Sequence, residues 1–222
     1  VFENCVFSGD VYGAHSDAGA NDVIFRNCTF SGFNTFGSAI TLLTLDNCTF
    51  VANGRSGYNG VNLWGNIKLI GCEFTFDGSV TEWVDVCDSG YSYEVDGCTI
   101  NGEPFKLNDL GIYGDCDVTY NGAYYAYAST AANLEKYINE AERDIHVYMM
   151  AHIFDKVTIL QKANVDVFIA GNGKTLRELH IHGLWNVLPD NTFGTILSLS
   201  CSHSPQQKSG PAQASYNSCQ NL

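Results

Sequence analysis

The residues with the most chemical potential are five acids crowded into one short stretch, Glu82, Asp85, Asp88, Glu94 and Asp96. Two neighbouring carboxyls do general acid and general base work on glycosidic bonds. If residues 83–86 form a strand, Val84 and Val86 face inward and Asp85 faces outward. Asp85 and Asp88 are then the candidate acid–base pair. The plain alternative is a solvated acidic face, since no arginine base stands beside the cluster in sequence. The oxygens of Asp85, Asp88 and Asp96 are also the best candidates for a loosely defined Ca²⁺ site. Neither an EF-hand nor a nonapeptide Ca²⁺ repeat is present, and no other cofactor is implied.

Other groups carry weaker signals. His180 and His182 project to one side of a strand at i, i+2 spacing, as metal-ligand pairs do, but lack a third ligand nearby, so they read as ordinary strand histidines. Gly171-Asn-Gly-Lys174-Thr175 resembles the end of a phosphate loop; the required earlier glycine falls at Phe168, and a tight turn explains the glycines better. Asn27-Cys-Thr29 and Asn47-Cys-Thr49 satisfy the N-glycosylation pattern, at positions where a turn already calls for Asn. The aromatics Tyr12, Tyr58, Trp64, Trp83, Tyr91 and Tyr93 lie in or beside variable segments, where exposed rings stack on sugars or contact proteins. The alternative is that some of these rings close the ends of turns.

These groups are set on a repeat. Phe2-Glu-Asn-Cys5-Val-Phe7 is followed by Phe25-Arg-Asn-Cys28-Thr-Phe30, Leu45-Asp-Asn-Cys48-Thr-Phe50, Leu69-Ile-Gly-Cys72-Glu-Phe74, Val95-Asp-Gly-Cys98-Thr-Ile100 and a degenerate Tyr113-Gly-Asp-Cys116-Asp-Val118. The cysteine intervals are 23, 20, 24, 26 and 18 residues, the period of a solenoid whose turns stack only on their neighbours. Within a copy the inward set is Val23, Phe25, Cys28 and Phe30. The offset at Asn27 demands a bend that Asn or Gly tolerates, and Asn4, Asn47, Gly71, Gly97 and Asp115 hold the equivalent place. Second strands are expected at 39–42, 60–64, 83–86 and 105–107.

Composition narrows the class. The chain has 222 residues, 45% of them hydrophobic, and a net charge of −13 from 24 acids against 11 bases. Such a surface repels phosphate backbones, which excludes nucleic acid as a partner. No apolar run reaches the ~18–20 residues of a membrane-spanning helix. The opening residues look like the interior of a repeat, which reads as a piece of a longer protein. Nine cysteines would suggest disulfides or zinc. However, stacked turns leave parallel Cβ vectors with poor disulfide geometry, and no C-x₂-C pair exists. Cys5, Cys28, Cys48, Cys72, Cys98 and Cys116 therefore read as a buried ladder of reduced thiols, while Cys87, Cys201 and Cys219 lie outside it.

From about Ala123 the texture changes. Residues 129–141 form the one helix pattern, capped by Ser129 or Thr130, with Leu134, Tyr137, Ile138 and Ala141 on its apolar face. Strand patterns resume at 145–149, 156–160, 165–169, 179–182 and 195–199, and 202–222 is a polar tail. The expected organisation is thus 1–122 as parallel repeats, 123–201 as a helix-capped β segment whose strands either extend the same stack or open a second one, and 202–222 as extension.

The N-C-T-F turns resemble right-handed parallel β-helix repeats of the pectin-lyase-like superfamily. That group includes polysaccharide lyases and hydrolases, phage tailspikes and large bacterial surface proteins regarded as adhesins. The stretch 129–183 is similar to the helix-capped entry into such a solenoid, and the resemblance covers about residues 1–185. It implies an all-β fold, a right-handed parallel β-helix with one short capping α-helix. For function it implies either a non-catalytic extracellular module binding a glycan or a surface protein, or a polysaccharide lyase or glycoside hydrolase. The first is favoured, because the D-D and R-I-K motifs of pectin hydrolases are missing.

Overall fold

In the computed structural model the fold is all-β, with one α-helix and one 3₁₀ turn among the described residues and parallel stacked sheets forming a β-solenoid of about six turns. The structure describes all residues except 14–21, 38–40, 53–59, 77–83, 87–88, 161–164, 183–186, 190–194 and 203–222. The chain divides into two compact units, Val1–Ala123 and Tyr124–Leu222.

Three sheets wrap the first unit. The first holds Phe2–Glu3, Val23–Arg26, Leu43–Asp46, Ile67–Ile70, Ser92–Asp96 and Cys116–Tyr120 in parallel order. The second runs through Val6–Ser8, Thr29–Ser31, Thr49–Ala52, Glu73–Phe76 and Thr99–Ile100. It ends in an antiparallel pairing of Thr99–Ile100 with Glu103–Pro104. Pro104 suits that edge because it has no N–H to offer a further strand. The third comprises Val11–Gly13, Asn34–Phe36, Val61–Leu63, Val84–Val86 and Leu110–Ile112. The expected strand at 105–107 does not form, and that at 39–42 lies partly outside the described residues, with 41–42 not in a strand; Asn34–Phe36 and Leu110–Ile112 take third-sheet places.

The bend between the first and second sheets is set by one left-handed residue per turn: Asn4 (φ 56), Asn27 (51), Asn47 (51), Gly71 (58) and Gly97 (61). Its N–H donates to the next turn, from Asn27 to Asp46 O at 3.0 Å and from Asn47 to Ile70 O at 2.8 Å. The cysteine that follows points inward. Cys28, Cys48, Cys72 and Cys98 are buried free thiols, and Cys5 in the first turn is half-buried. From Cys28 to Cys98 each ladder thiol reaches back one turn to a carbonyl, Cys48 to Phe25 O at 3.4 Å and Cys72 to Leu45 O at 3.2 Å. Sulfur here replaces a strong donor with a weak one that tolerates an apolar stack. Beside the thiols runs a phenylalanine ladder, with Phe7–Phe30, Phe30–Phe50 and Phe50–Phe74 stacked at 4.9, 4.9 and 5.0 Å.

Two expectations fail together. Cys116 is buried and free, but it opens a first-sheet strand, where Asp117 aligns with Ser92. It is therefore not the sixth rung of the thiol ladder, and Asp115 does not adopt left-handed backbone. The turn of that copy falls at Asn121 (φ 44) and Gly122 (φ 81). Burial, helped by the nearby acids Asp117 and Asp115, pushes the Cys116 thiol well above its usual range.

The second unit stacks two parallel sheets. One runs through Ala123–Ala128, Ile145–Met149, Val167–Ala170 and Val187–Pro189; the other through Ile153–Leu160, Thr175–His182 and Thr195–Ser202. Its core is Ile145, Val147, Val157, Ile159, Val167, Ile169, Leu176, Leu179 and Ile181. Helix α1, Ala131–Glu140, is N-capped by Thr130, whose Oγ1 accepts from Asn133 N at 3.2 Å. Its apolar stripe of Ala131, Leu134, Tyr137 and Ile138 is buried. The opposite requirement, an outer strand with unpaired amides, is met by its polar residues. Glu135 Oε1 accepts from Thr158 N, Asn139 Nδ2 donates to Thr158 O at 3.1 Å, and Asn139 Oδ1 accepts from Leu160 N at 2.8 Å. The helix thus occupies the edge of Ile153–Leu160, which would otherwise template another strand. Residues 171–174, weighed as a phosphate loop, form a turn with Asn172 (φ 48) and Gly173 (φ 71).

Candidate functional site

The third sheet of the first unit carries the candidate surface. Its strands are three residues long, so the outer residues point inward and the middle one points out. The aligned middle residues are Tyr12, Thr35, Asn62, Asp85 and Gly111. One residue beyond two of these strands, alternation brings Trp64 and Tyr113 onto the same outward side. Their N–H groups continue the ladder, from Trp64 to Phe36 O at 2.9 Å and from Tyr113 to Val86 O at 3.0 Å. Tyr12 is 61% exposed, Tyr113 56% and Trp64 36%. A polar column is therefore flanked by exposed rings.

Asp85 departs from expectation. It sits opposite Val84 and Val86 on its strand, yet it is 2% exposed rather than solvated. The reason lies in the next turn: a Cβ at Gly111 would collide with Asp85 Oδ1 and come within 3.1 Å of Tyr113 Cε2. Glycine lets the carboxylate lie flat on the sheet with the Tyr113 ring beside it. Thr35 in the same column is also buried, and the Asn62 Oδ1 is enclosed without a hydrogen bond among the described residues.

The acidic stretch does not converge. Glu94 and Asp96 belong to the first sheet, where Glu94 pairs with Lys68 at 2.7 Å and Asp96 is exposed. Glu82 and Asp88 lie outside the described residues, as do Tyr58, Trp83, Cys87 and Cys219. Among the described residues no group of three His, Cys, Asp or Glu side chains is placed to hold a metal ion. His180 and His182 share the outward face of Thr175–His182; His180 Nε2 meets Glu178 Oε1 at 2.5 Å and His182 is exposed. Tyr91 is half-buried, and Tyr93, expected as an exposed ring, is buried at 3%. It aligns with the core residues Ile67 and Val118 of neighbouring strands, which makes it an inward position.

A second aromatic surface escaped the sequence reading. Tyr125 and Tyr127 alternate with the buried Ala126 and Ala128, and His146 and Tyr148 alternate with buried Ile145, Val147 and Met149. Together with Phe168 they tile the outer face of the second unit's first sheet. His146 stacks on Phe168 at 4.6 Å and 10°, and Tyr127 on Tyr148 at 5.2 Å and 21°. These rings spend their faces on one another. The signal was the Tyr-Ala-Tyr-Ala alternation at 125–128.

Comparison of the chain with protein-family profiles, with curated proteins and with solved structures finds no match. Among the described residues no helix is long and apolar enough to cross a membrane.

Proposed function

We propose that this chain is a non-catalytic β-solenoid module of an extracellular, cell-surface protein, and that the outer face of its third sheet binds a neutral glycan. The observation that carries this reading is the placement of exposed Trp64 and Tyr113 on the same outward face as the half-buried Asn62. Sugars are held by aromatic platforms together with fixed polar groups. The net charge of −13 favours neutral over acidic glycans. The turn pattern supports kinship with the pectin-lyase-like β-helix proteins. The rival function in that group, lyase or hydrolase, is disfavoured because Asp85 is enclosed and Glu94 and Asp96 of the same acidic stretch stand on another sheet, while its expected partner Asp88 lies outside the described residues. The aromatic tile of the second unit suits sugars less, since its rings present edges.

A panel of neutral and acidic polysaccharides, read by affinity electrophoresis, tests the reading. Trp64→Ala and Tyr113→Ala should each weaken retention several-fold, and Tyr127→Ala should leave it unchanged. Depolymerisation of any panel member, abolished by Asp85→Asn, would overturn the proposal in favour of an enzyme.

A further inference from the structure

Helix α1 ends on a cleft. Tyr124, Glu140, Ala141, Glu142 and Arg143 line an open hollow of about 570 Å³ where the chain leaves the helix for Ile145–Met149. Tyr124 stands at the start of its strand opposite Ile145 and packs against the core of the second unit. Its half-buried ring and the buried Ala141 make the floor of the hollow, while Glu140, Glu142 and Arg143 are exposed around it.

The two acids here lack counter-ions although bases stand close by. Lys136 lies one helical turn before Glu140, at the i, i+4 spacing where such residues pair. Its Nζ lies instead over the Tyr137 ring, 5.9 Å from the centroid. The Arg143 guanidinium likewise lies over the Tyr124 ring, at 5.1 Å. Neither Glu140 nor Glu142 makes an ion pair or a hydrogen bond among the described residues. Asp144, next along, is spent on structure, where its Oδ1 accepts from Asp166 N at 2.8 Å. The last turn of α1 holds no basic residue, and that end is the negative pole of the helix. Two carboxylates at that pole, on a chain of net charge −13, are repelled by the helix end and by each other until a cation joins them.

We propose that this cleft binds the arginine side chain of a basic partner segment, and that Arg143 is the internal cation that holds the place in the unliganded chain. The cation–ring contact already made by Arg143 shows that the floor of the hollow accepts a guanidinium. Such a group suits the site better than an ammonium does. It is flat enough to lie on Tyr124, and its fork offers parallel N–H donors to a carboxylate at either side. The hollow is open, with its charged groups exposed, which admits the end of one long side chain from a larger molecule; a small ligand is held by a site that encloses most of it. The incoming guanidinium takes the ring face from Arg143 and gains Glu140 and Glu142, with which Arg143 forms no ion pair. Arg143, exposed on a flexible stem, gives way to solvent.

The test uses the whole chain and three blocked tripeptides: acetyl-Gly-Arg-Gly amide, its lysine counterpart, and its citrulline counterpart, which keeps the shape of arginine without the charge. Binding is followed by the NMR shifts of the Tyr124 ring and the Ala141 amide. Arg143→Ala should bind the arginine peptide several-fold more tightly than the parent chain does, because the ring face then stands open. In that background the lysine peptide should bind several-fold more weakly than the arginine peptide, and the citrulline peptide should not bind. Adding Glu140→Gln and Glu142→Gln should abolish the gain. Adding Glu73→Gln and Glu103→Gln instead, which removes the same charge from exposed positions of the first unit, should preserve it. Every substituted side chain is exposed, so the comparison does not turn on folding. Failure of Arg143→Ala to strengthen binding would overturn the proposal. So would equal binding of the arginine and lysine peptides with equal weakening by both pairs of glutamine substitutions, which is how a merely acidic surface behaves.

Discussion

The two units solve the same packing problem with different means. In the first, three short sheets enclose a narrow core whose repeating members are a thiol and a phenyl ring, with a left-handed Asn or Gly at the bend. In the second, one of two sheets is built of eight-residue strands, the core is mainly valine, isoleucine and leucine, and a helix covers the first edge of that sheet. A three-residue strand cannot bury much area alone, so the first unit gains its stability from exact repetition along the ladder. An eight-residue strand such as Ile153–Leu160 buries enough that its residues need not match from turn to turn. Where repetition is the source of stability, the repeat is visible in sequence; where strand length is, it is not.

The largest effect should come from breaking the ring ladder. Phe50 is fully buried between Phe30 and Phe74, and Phe50→Ala should cost about 3–5 kcal/mol. Urea unfolding followed by a probe in each unit should show the first unit shifted and the second unchanged. A single transition moving as one would mean that the units are not separately stable.

The cap is next. Replacing Glu135 and Asn139 with Ala removes three side-chain bonds to the edge strand and should destabilise the second unit by roughly 2–3 kcal/mol. Sedimentation should also show association, because the edge of Ile153–Leu160 is then free to pair. A variant that stays monomeric and loses no stability would show that the helix covers the edge without being needed there.

A smaller change tests the bend. Asn47→Val places a β-branched residue at φ 51, and should cost about 1–2 kcal/mol. Asn47→Gly should be nearly neutral. Asp115→Gly should give no gain by relief at that position, since its backbone is not left-handed.

These positions also mark what the sequence could and could not reveal. The bend, the thiols and the rings were legible because each turn restates them, so Asn27, Cys28 and Phe30 were each read several times over. Cys116 departs from the ladder although Gly-Asp-Cys resembles Asp-Gly-Cys; the short interval of 18 residues after Cys98 is the sign that it falls before the first-sheet strand of its turn rather than after it. Alternation gave the direction of Asp85 correctly. It could not give the burial, which depends on a missing side chain at Gly111 a full turn away. Tyr93 was misjudged for the related reason that its alignment with Ile67 and Val118 is a fact of register between distant segments.

The smallest effect is alkaline. Cys116 is held protonated in the fold because burial raises its ionisation, whereas in the unfolded chain it ionises near about pH 8.5. Its contribution is therefore intact below that value and falls as pH rises above it, by up to about 1.4 kcal/mol per pH unit. Denaturant titrations at stepped pH should show this slope in the first unit, and Cys116→Ala should reduce it without abolishing it, since the buried Cys72 and Cys28 thiols are raised as well. An equal slope in that variant would place the effect elsewhere.

The absence of any cross-link among the ladder thiols has a mechanical meaning. Among the described residues, successive turns of the first unit are joined by hydrogen bonds, ion pairs and packed side chains without a covalent link between the ladder thiols, so under load they can peel away one at a time. A turn as long as the interval from Cys5 to Cys28, 23 residues, would pay out roughly 75 Å of contour in place of the ~4.8 Å it occupies in the stack. A stack made this way should yield by lengthening rather than snapping, and reseat when the tension drops. Stretching a single molecule should record a series of similar reversible steps; one abrupt release of the whole unit would refute it.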